Sequence, residues 1–456
     1  MVRLLCIAIL ALTSTLFTSF ASAQDCKFKT IGPRKSKPVA TDGWDWAVIA
    51  NNLGRPRTIV FDTEGSLLVL DSGDGITHLK LEDQGGRCLR VKKRTVLLRL
   101  RELNHGLVLS KDGRTIYAST EDRVFAWPYN PENATVNKGA VRTIVKNMKV
   151  GEGFGDGFVT RTLLISEKYS DMMLISRGSK ENDDPRAEER LTGLSQIRAF
   201  NISAFANDST TEPLEFLSGK LLAWGLRNSV GMAEHPETGG LFSVEQSAYE
   251  LNRDKKSIDK NNPAEEMNFH GFLNGSTESQ GGNYGFPVCY TLWSMAKFPN
   301  VGNLRIGDQF ASARKLKSSS IRTDQECKRD YVPPVLAFEA HTQPLDIEFD
   351  REGKGAYVSF HGSWRLPPVG FHVLYVPFEN GRPRSEPAES RYRNATSFII
   401  RNKRIKDCPD DCFRPVGLVR DSKDRLFFSS DYTGEVFVLA QKNPPTQTTV
   451  PRERPT

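Results

Sequence analysis

Six places in the chain set polar side chains just ahead of an apolar-alternating run: Arg57, Asn104 with His105, Arg161, Arg227 with Asn228, His341, and Arg414. Four of them are arginines, whose planar guanidinium binds carboxylates bidentately. Two are histidines, which near neutral pH make ready general bases. Brought round one axis, four guanidiniums would repel one another unless an anion lay among them. A planar ligand with several carboxylates would suit such an array. The competing reading pairs each arginine with a carboxylate on its own loop.

The elements that would converge these residues repeat. The pattern is an apolar strand, a Gly/Asp-containing turn and a second apolar strand. It occurs in "RPRTIVFDTEGSLLVLD" (55–71), "NHGLVLSKDGRTIYAST" (104–120) and "GFVTRTLLISEKYSDMMLISRG" (157–178). It returns in "RNSVGMAEHPETGGLFSVEQ" (227–246), "QPLDIEFDREGKGAYVSFHG" (343–362) and "RPVGLVRDSKDRLFFSSD" (414–431). Period-two alternation flanking a tight turn is a hairpin signal. Most copies lead into another strand-like run, such as "RVFAWPY" or "FHVLYVPF". Six four-stranded units predict an all-β, six-bladed β-propeller with long inserted loops around 183–222 and 250–335. A tandem β-sandwich is the competing architecture. The run "GWDWAVIANNL" (43–53) precedes the first unit and is expected to complete the last blade, closing the ring.

One stretch, "GLRNSVGMAEHPETGGLFSVEQSA" (225–248), carries polar groups on both sides of its apolar core: Arg227 and Asn228 before it, Glu245, Gln246 and Ser247 after it. Placed at opposite ends of a strand, the two clusters serve a single site only if the 247–250 loop folds back.

The chain opens "MVRLLCIAILALTSTLFTSFASAQ", one basic residue, an apolar run and "ASA", the pattern of a cleaved signal peptide over residues 1–23. A secreted, extracellular protein and no membrane span are expected. Its removal takes Arg3 from the 62 basic residues and leaves 61 against 55 acidic ones. The charges are interspersed, so no nucleic-acid patch stands out. Six cysteines then remain, and an even number in a secreted chain suggests disulfides. Nearest-neighbour pairing gives 26–88, 289–327 and 408–412. Asn-x-Ser/Thr sequons begin at Asn133, Asn201, Asn207, Asn274 and Asn394. Residues 24–441 form the expected propeller, and 442–456, "KNPPTQTTVPRERPT", a disordered tail.

The 225–248 stretch, followed by "EEMN" (265–268) and "GGNYGFP" (281–287), resembles the signature of soluble quinoprotein sugar and sorbosone dehydrogenases. "SFHGSWRLPPVGFHVLYVPF" and "FRPVGL" resemble especially the fungal extracellular pyranose dehydrogenase branch. The resemblance spans all six repeats. It implies pyrroloquinoline quinone (PQQ), a tricarboxylate ortho-quinone, and a calcium ion (Ca2+) over the channel mouth. By that likeness Arg227 stands near the reactive quinone carbonyl and Asn228 helps to hold the cofactor. Arg414 matches an arginine that holds a cofactor carboxylate, and Arg57 is a second candidate. Arg161, His341 and His361 complete the expected cofactor shell. Ser247 and Ala248 occupy positions whose backbone carbonyls hold calcium, an oxygen donor set that suits this ion. The implied reaction is oxidation of a sugar by hydride transfer. A base takes the hydroxyl proton, a cation steadies the developing oxyanion, and electrons pass to an external acceptor such as a cytochrome or a polysaccharide-acting redox enzyme.

The chain departs from that pattern at one point. Where these dehydrogenases carry a histidine ahead of "TRT", "GEGFGDGFVTRT" has Phe158. His105 is the first substitute as catalytic base, followed by His341 and His361; Asp156 sits in an ordinary "GDG" turn. Trp364, Trp293 and Phe286 are candidates for a sugar-stacking wall. Loss of the histidine also suits a second reading, a non-catalytic propeller that binds a partner. A third, a calcium-dependent lactonase, would need carboxylates and asparagines at the channel floor, where the entrances offer mainly arginines.

Overall fold

The computed structural model describes residues 26–149, 158–207, 210–275, 279–312, 322–364 and 367–442. Each of the six repeats folds into an antiparallel sheet whose strands follow one another outward from the axis. Blade I comprises Pro56–Phe61, Leu67–Asp71, Gly75–Asp83 and Leu89–Arg99. The innermost strands of blades II to VI are Leu107–Leu109, Leu163–Ile165, Ser229–Glu234, Pro344–Phe349 and Pro415–Arg420. These six strands abut in cyclic order, so the architecture is a six-bladed β-propeller. Blade VI takes its outermost strand, Trp44–Ala50, from near the start of the chain. That strand pairs antiparallel with Glu435–Gln441, as the "GWDWAVIANNL" run predicts, and closes the ring.

The two long insertions are more structured than loops. The first holds two strands of blade III, Gln196–Asn201 and Lys220–Trp224. The second supplies both outer strands of blade IV, Glu265–Phe269 and Leu336–Phe338, together with a ribbon of Cys289–Thr291 and Gln309–Ala311. The three disulfides are 26–88, 289–327 and 408–412, the nearest-neighbour set. Asn133, Asn201, Asn274 and Asn394 are exposed. The expected signal peptide, residues 443–456 and Asp156 lie outside the described residues.

Apolar faces of neighbouring blades interlock. Between blades IV and V, Phe242, Phe269, Phe349 and Phe378 are buried in edge-on and tilted contacts with centroids 5.0–5.5 Å apart. Each such ring contributes about 2 kcal/mol of burial. Near the axis the strands approach too closely for side chains. A Cβ on Gly106 would meet the Arg161 carbonyl at 2.2 Å, one on Gly231 the Asp346 Cα at 2.6 Å, and one on Gly417 the Arg57 carbonyl at 2.4 Å. Buried hydroxyls then clip adjoining blades together. Ser119 donates to the Arg161 carbonyl at 2.6 Å, and Ser429 to the Arg57 carbonyl. These contacts fix the backbone beside three of the entrance residues.

Candidate functional site

All six innermost strands run the same way along the axis, so the residues preceding them gather at one mouth. The second strand of each blade returns antiparallel, and its end reaches that mouth too. In blade IV Ser229 lies opposite Glu245, and the Gln246 amide donates to the Asn228 carbonyl at 3.0 Å. The two polar clusters of residues 225–248 are therefore neighbours. This corrects the expectation that they occupy opposite strand ends and need a returning loop: the stretch is a hairpin, and its turn at "PETGG" has already reversed the chain.

On the side formed by blades III and IV, Arg227 is held by backbone and amide oxygens. Nε donates to the Asn182 carbonyl at 3.0 Å and Nη2 to Asn182 Oδ1 at 2.9 Å. Nη1 donates to the Ser247 carbonyl at 2.7 Å. Its guanidinium lies 4.3 Å from the Phe158 ring centroid and 5.2 Å from that of Tyr249. Asn228 Nδ2 donates to Gln246 Oε1 at 3.0 Å. Among the described residues the Arg161 side chain bonds the carbonyls of Phe158 and Thr160, at 2.9 and 2.8 Å, and its buried Nε has no hydrogen-bond partner.

Across the mouth, blades I, II, V and VI contribute a side-chain network. Asp431 accepts from Arg57 Nη1 at 2.7 Å on one oxygen and from His361 Nε2 at 2.9 Å on the other. Burial alone would raise the Asp431 carboxyl, but His361 and Arg57 together hold it well below the usual carboxylate range. Being ionised, Asp431 can only accept, so His361 Nε2 carries the hydrogen and Nδ1 keeps its lone pair. His105 is arranged oppositely. Its Nδ1 accepts from Arg57 Nε at 3.3 Å, which commits the lone pair that a base would need. Burial lowers the pKa of both histidines, so both are neutral near pH 7. The two histidines thus differ in which ring nitrogen is engaged, Nδ1 in His105 and Nε2 in His361.

Arg414 donates to the carbonyls of His361 and Gly362 and stacks under Trp364, whose ring centroid is 3.9 Å from the guanidinium carbon. Its Nη1 is buried and unpartnered. Of the four entrance arginines only Arg57 has a carboxylate partner among the described residues. Arg161, Arg227 and Arg414 are 4, 1 and 0% exposed. Burial pushes each down to about 10, still charged at neutral pH. With no direct ion pair among the described residues, these three buried cations carry a desolvation cost that an anion bound at the mouth would offset.

His341 adopts a left-handed backbone at φ 67°, with Gln343 at φ 58°, and its Nε2 meets the Asp259 carbonyl. This loop is fixed by a residue that sequence reasoning did not single out. Glu265 accepts from the Ser247 amide at 2.6 Å and from the Gln343 amide at 3.3 Å, clamping loops of two blades. Burial raises its carboxyl to about 8 against those two bonds. Asn182 and Asp431 were missed as well. The available signals were "SSD", at the end of a second strand, and "EEMN", which opens the third strand of blade IV opposite Glu245.

For a metal, the described residues contain no group of three or more histidine, cysteine or acidic side chains suitably placed. Ser247 offers a carbonyl that already accepts from Arg227, and Ala248 is buried among Phe286, Tyr290 and their neighbours. Phe286 packs its own loop and Trp293 stacks on Arg391, so of the three aromatic candidates only Trp364 reaches the arginine array.

A family model described as TrAA12-like matches residues 38–442, which spans all six blades. The chain is 47% identical over 433 residues to a "Pyrroloquinoline quinone-dependent sugar dehydrogenase" of Hypocrea jecorina (strain QM6a), covering 95% of this chain and 96% of that protein. It is 34% identical over 429 residues to a "Pyrroloquinoline quinone-dependent pyranose dehydrogenase" of Coprinopsis cinerea, covering 91% of this chain and 56% of that protein. Among solved structures, the calcium structure of the Trichoderma reesei Carbohydrate-Active Enzymes Family AA12 protein superposes with a TM-score of 0.85 at 47% identity, over 91% of this chain and 99% of that one. The holo form of the pyranose dehydrogenase PQQ domain from Coprinopsis cinerea gives 0.79 at 32% identity, over 90 and 98%. The closed six-bladed ring, its arginine-lined mouth and a match across every blade agree, and the chain belongs to the TrAA12-like family.

Proposed function

We propose that the protein is a secreted quinoprotein that binds PQQ over the arginine-lined mouth, oxidises a hydroxyl of a sugar, and hands the electrons to a separate acceptor. The observation that carries this reading is the set of three buried guanidiniums that form no ion pair among the described residues. A planar tricarboxylate supplies the missing negative charge, and Arg414 Nη1 and Arg161 Nε are unpartnered donors for it. The relatives' names support the cofactor and the sugar. Three disulfides and exposed sequon asparagines support secretion. The acceptor is read as a cytochrome or a redox enzyme acting on polysaccharide.

PQQ, when bound, supplies the two-electron acceptor for the carbon-bound hydrogen. The chain's own residues hold and polarise. Arg227, fixed by Asn182 and Ser247, keeps a positive charge where a developing oxyanion would need one. His361, oriented by Asp431, presents Nδ1 to take the hydroxyl proton. Phe158, in the place of the expected histidine, caps Arg227 and does no proton chemistry. That replacement favours the non-catalytic binding module as the second reading, while the Asp431–His361 pair supplies another base. Calcium is the less supported part. Ser247 and Ala248 offer carbonyl oxygens for it, but the Ser247 oxygen is shared with a guanidinium.

Calorimetric titration of cofactor-free protein with PQQ, with and without calcium, tests the proposal. Tight binding is expected, at least 100-fold weaker in Arg227→Ala, or about 3 kcal/mol. No binding by the wild type would discard the dehydrogenase reading and leave the propeller as a binding module.

A further inference from the structure

Trp364 is the most exposed tryptophan at the mouth, with 58% of its surface open, yet it is not loose. One indole face lies on the Arg414 guanidinium at 3.9 Å. Its edge meets Tyr432, centroids 5.7 Å apart and planes at 81°. Tyr432 is itself 40% exposed and carries Lys35 over its ring at 5.5 Å. Arg414 in turn is anchored by the carbonyls of His361 and Gly362, within the same segment. The result is a layered corner: a buried cation, a flat indole fixed on it, and an outer aromatic face open to water. Rigid aromatic surfaces held in this way offer contact area at little entropic cost.

Resting on the function proposed above, we infer that the Trp364–Tyr432 corner is a second sugar subsite, stacking the ring next to the one being oxidised, so that the natural substrate is an oligosaccharide or glycoside. Three positions separate Trp364 from His361, so their Cα atoms are at most about 11 Å apart along extended chain. That bound lets adjoining rings of one oligosaccharide lie at both residues. The indole lies outside the Arg414 layer, whereas the ring losing its proton must reach His361 Nδ1. Pyranose rings present flat C–H faces, which pack on aromatic faces without requiring charge. The neighbouring Arg414 charge polarises the indole from behind and leaves the outer face apolar. A protein acceptor is the other occupant such a corner would suit, and the experiment separates the two.

The test is calorimetric binding of glucose and of α- and β-linked glucose tetramers to the full chain, with and without PQQ and calcium. Wild type is expected to bind one tetramer at least tenfold more tightly than glucose. Trp364→Ala should reduce that ratio to about one, Trp364→Tyr should restore part of it, and Trp293→Ala, remote from the corner, should leave it intact. Circular dichroism of each variant verifies folding. Equal binding of glucose and both tetramers by wild type, or an unchanged ratio in Trp364→Ala, would overturn the subsite. So would a Trp364→Ala variant that keeps the ratio and loses only the rate of cytochrome c reduction, since the corner would then dock the acceptor. Because the ratio is read as binding, it survives if PQQ fails to bind; that failure would remove the dehydrogenase reading separately.

Discussion

The two sides of the mouth manage buried positive charge differently. Across blades I, II, V and VI a carboxylate, Asp431, stands between Arg57 and His361, and charge is met by charge. Across blades III and IV, the guanidiniums of Arg227 and Arg161 meet carbonyls, an amide and aromatic rings among the described residues. The first arrangement is self-contained and leaves His361 Nδ1 outside the pair. The second forms no ion pair among the described residues, which is the feature behind the proposed anion site. One ring of equivalent blade positions thus yields a carboxylate–imidazole pair on one side and a carbonyl-held guanidinium pair on the other. The difference comes from what the second-strand ends supply: Asp431 in blade VI, Gln246 and Ser247 in blade IV.

Removing the carboxylate should separate the two sides most sharply. Asp431→Asn is expected to lower kcat about 100-fold or more, because the imidazole loses its orientation and fixed tautomer, while PQQ affinity changes much less. Asp431 also raises the pKa of His361, so the acid limb of the kcat/KM profile should move to lower pH in the variant. His361→Asn should match this loss and His105→Asn should fall well short of it, as steady-state rates will show; comparable losses would mean that the tautomer assignment is wrong. On the opposite side, Phe158→Ala removes the ring capping Arg227. About tenfold weaker PQQ binding is expected from the lost cation–π contact, with kcat less affected, in calorimetry and turnover assays.

The smallest effect lies below the mouth. Asp346 and Glu348 share one face of the blade V inner strand, and burial raises them to about 7 and 8. A carboxyl raised in the folded state binds protons that the unfolded chain has released. Its stabilising share is complete below about pH 4.5 and is lost as pH rises toward 8. Glu348→Gln should therefore gain stability relative to wild type as pH rises from 4.5 to 8, read from denaturant melts at several pH values. A constant difference across that range would contradict the assignment.

The hairpins, the ring they build and the arginines before each first strand were legible because each is local: a period, a turn, an adjacent residue. Disulfide partners were legible because each pair is consecutive among the mature cysteines. Glu265, Asp431 and Asn182 were not. Each acts through a contact with a distant blade or loop: Asp431 is 374 positions from Arg57, and Glu265 is 78 from Gln343. Asp346 and Glu348 looked like the polar half of an alternating strand, and only closure of the ring buries both faces. The partners that separate His105 from His361 were hidden for the same reason. Sequence gives an imidazole's place on a strand, whereas its usefulness as a base depends on which nitrogen a remote partner occupies.

The seam of the ring has a consequence for the making of the protein. Trp44–Ala50 leaves the ribosome among the first segments, but its partner Glu435–Gln441 follows nearly 400 positions later. At about 5–20 residues per second this strand waits about 20–80 s with an unpaired edge. The last blade cannot assemble until the whole propeller has emerged, so completion of the ring reports that synthesis has passed blade VI. A message broken anywhere before blade VI yields a chain that carries its own clasp and has nothing to fasten it to.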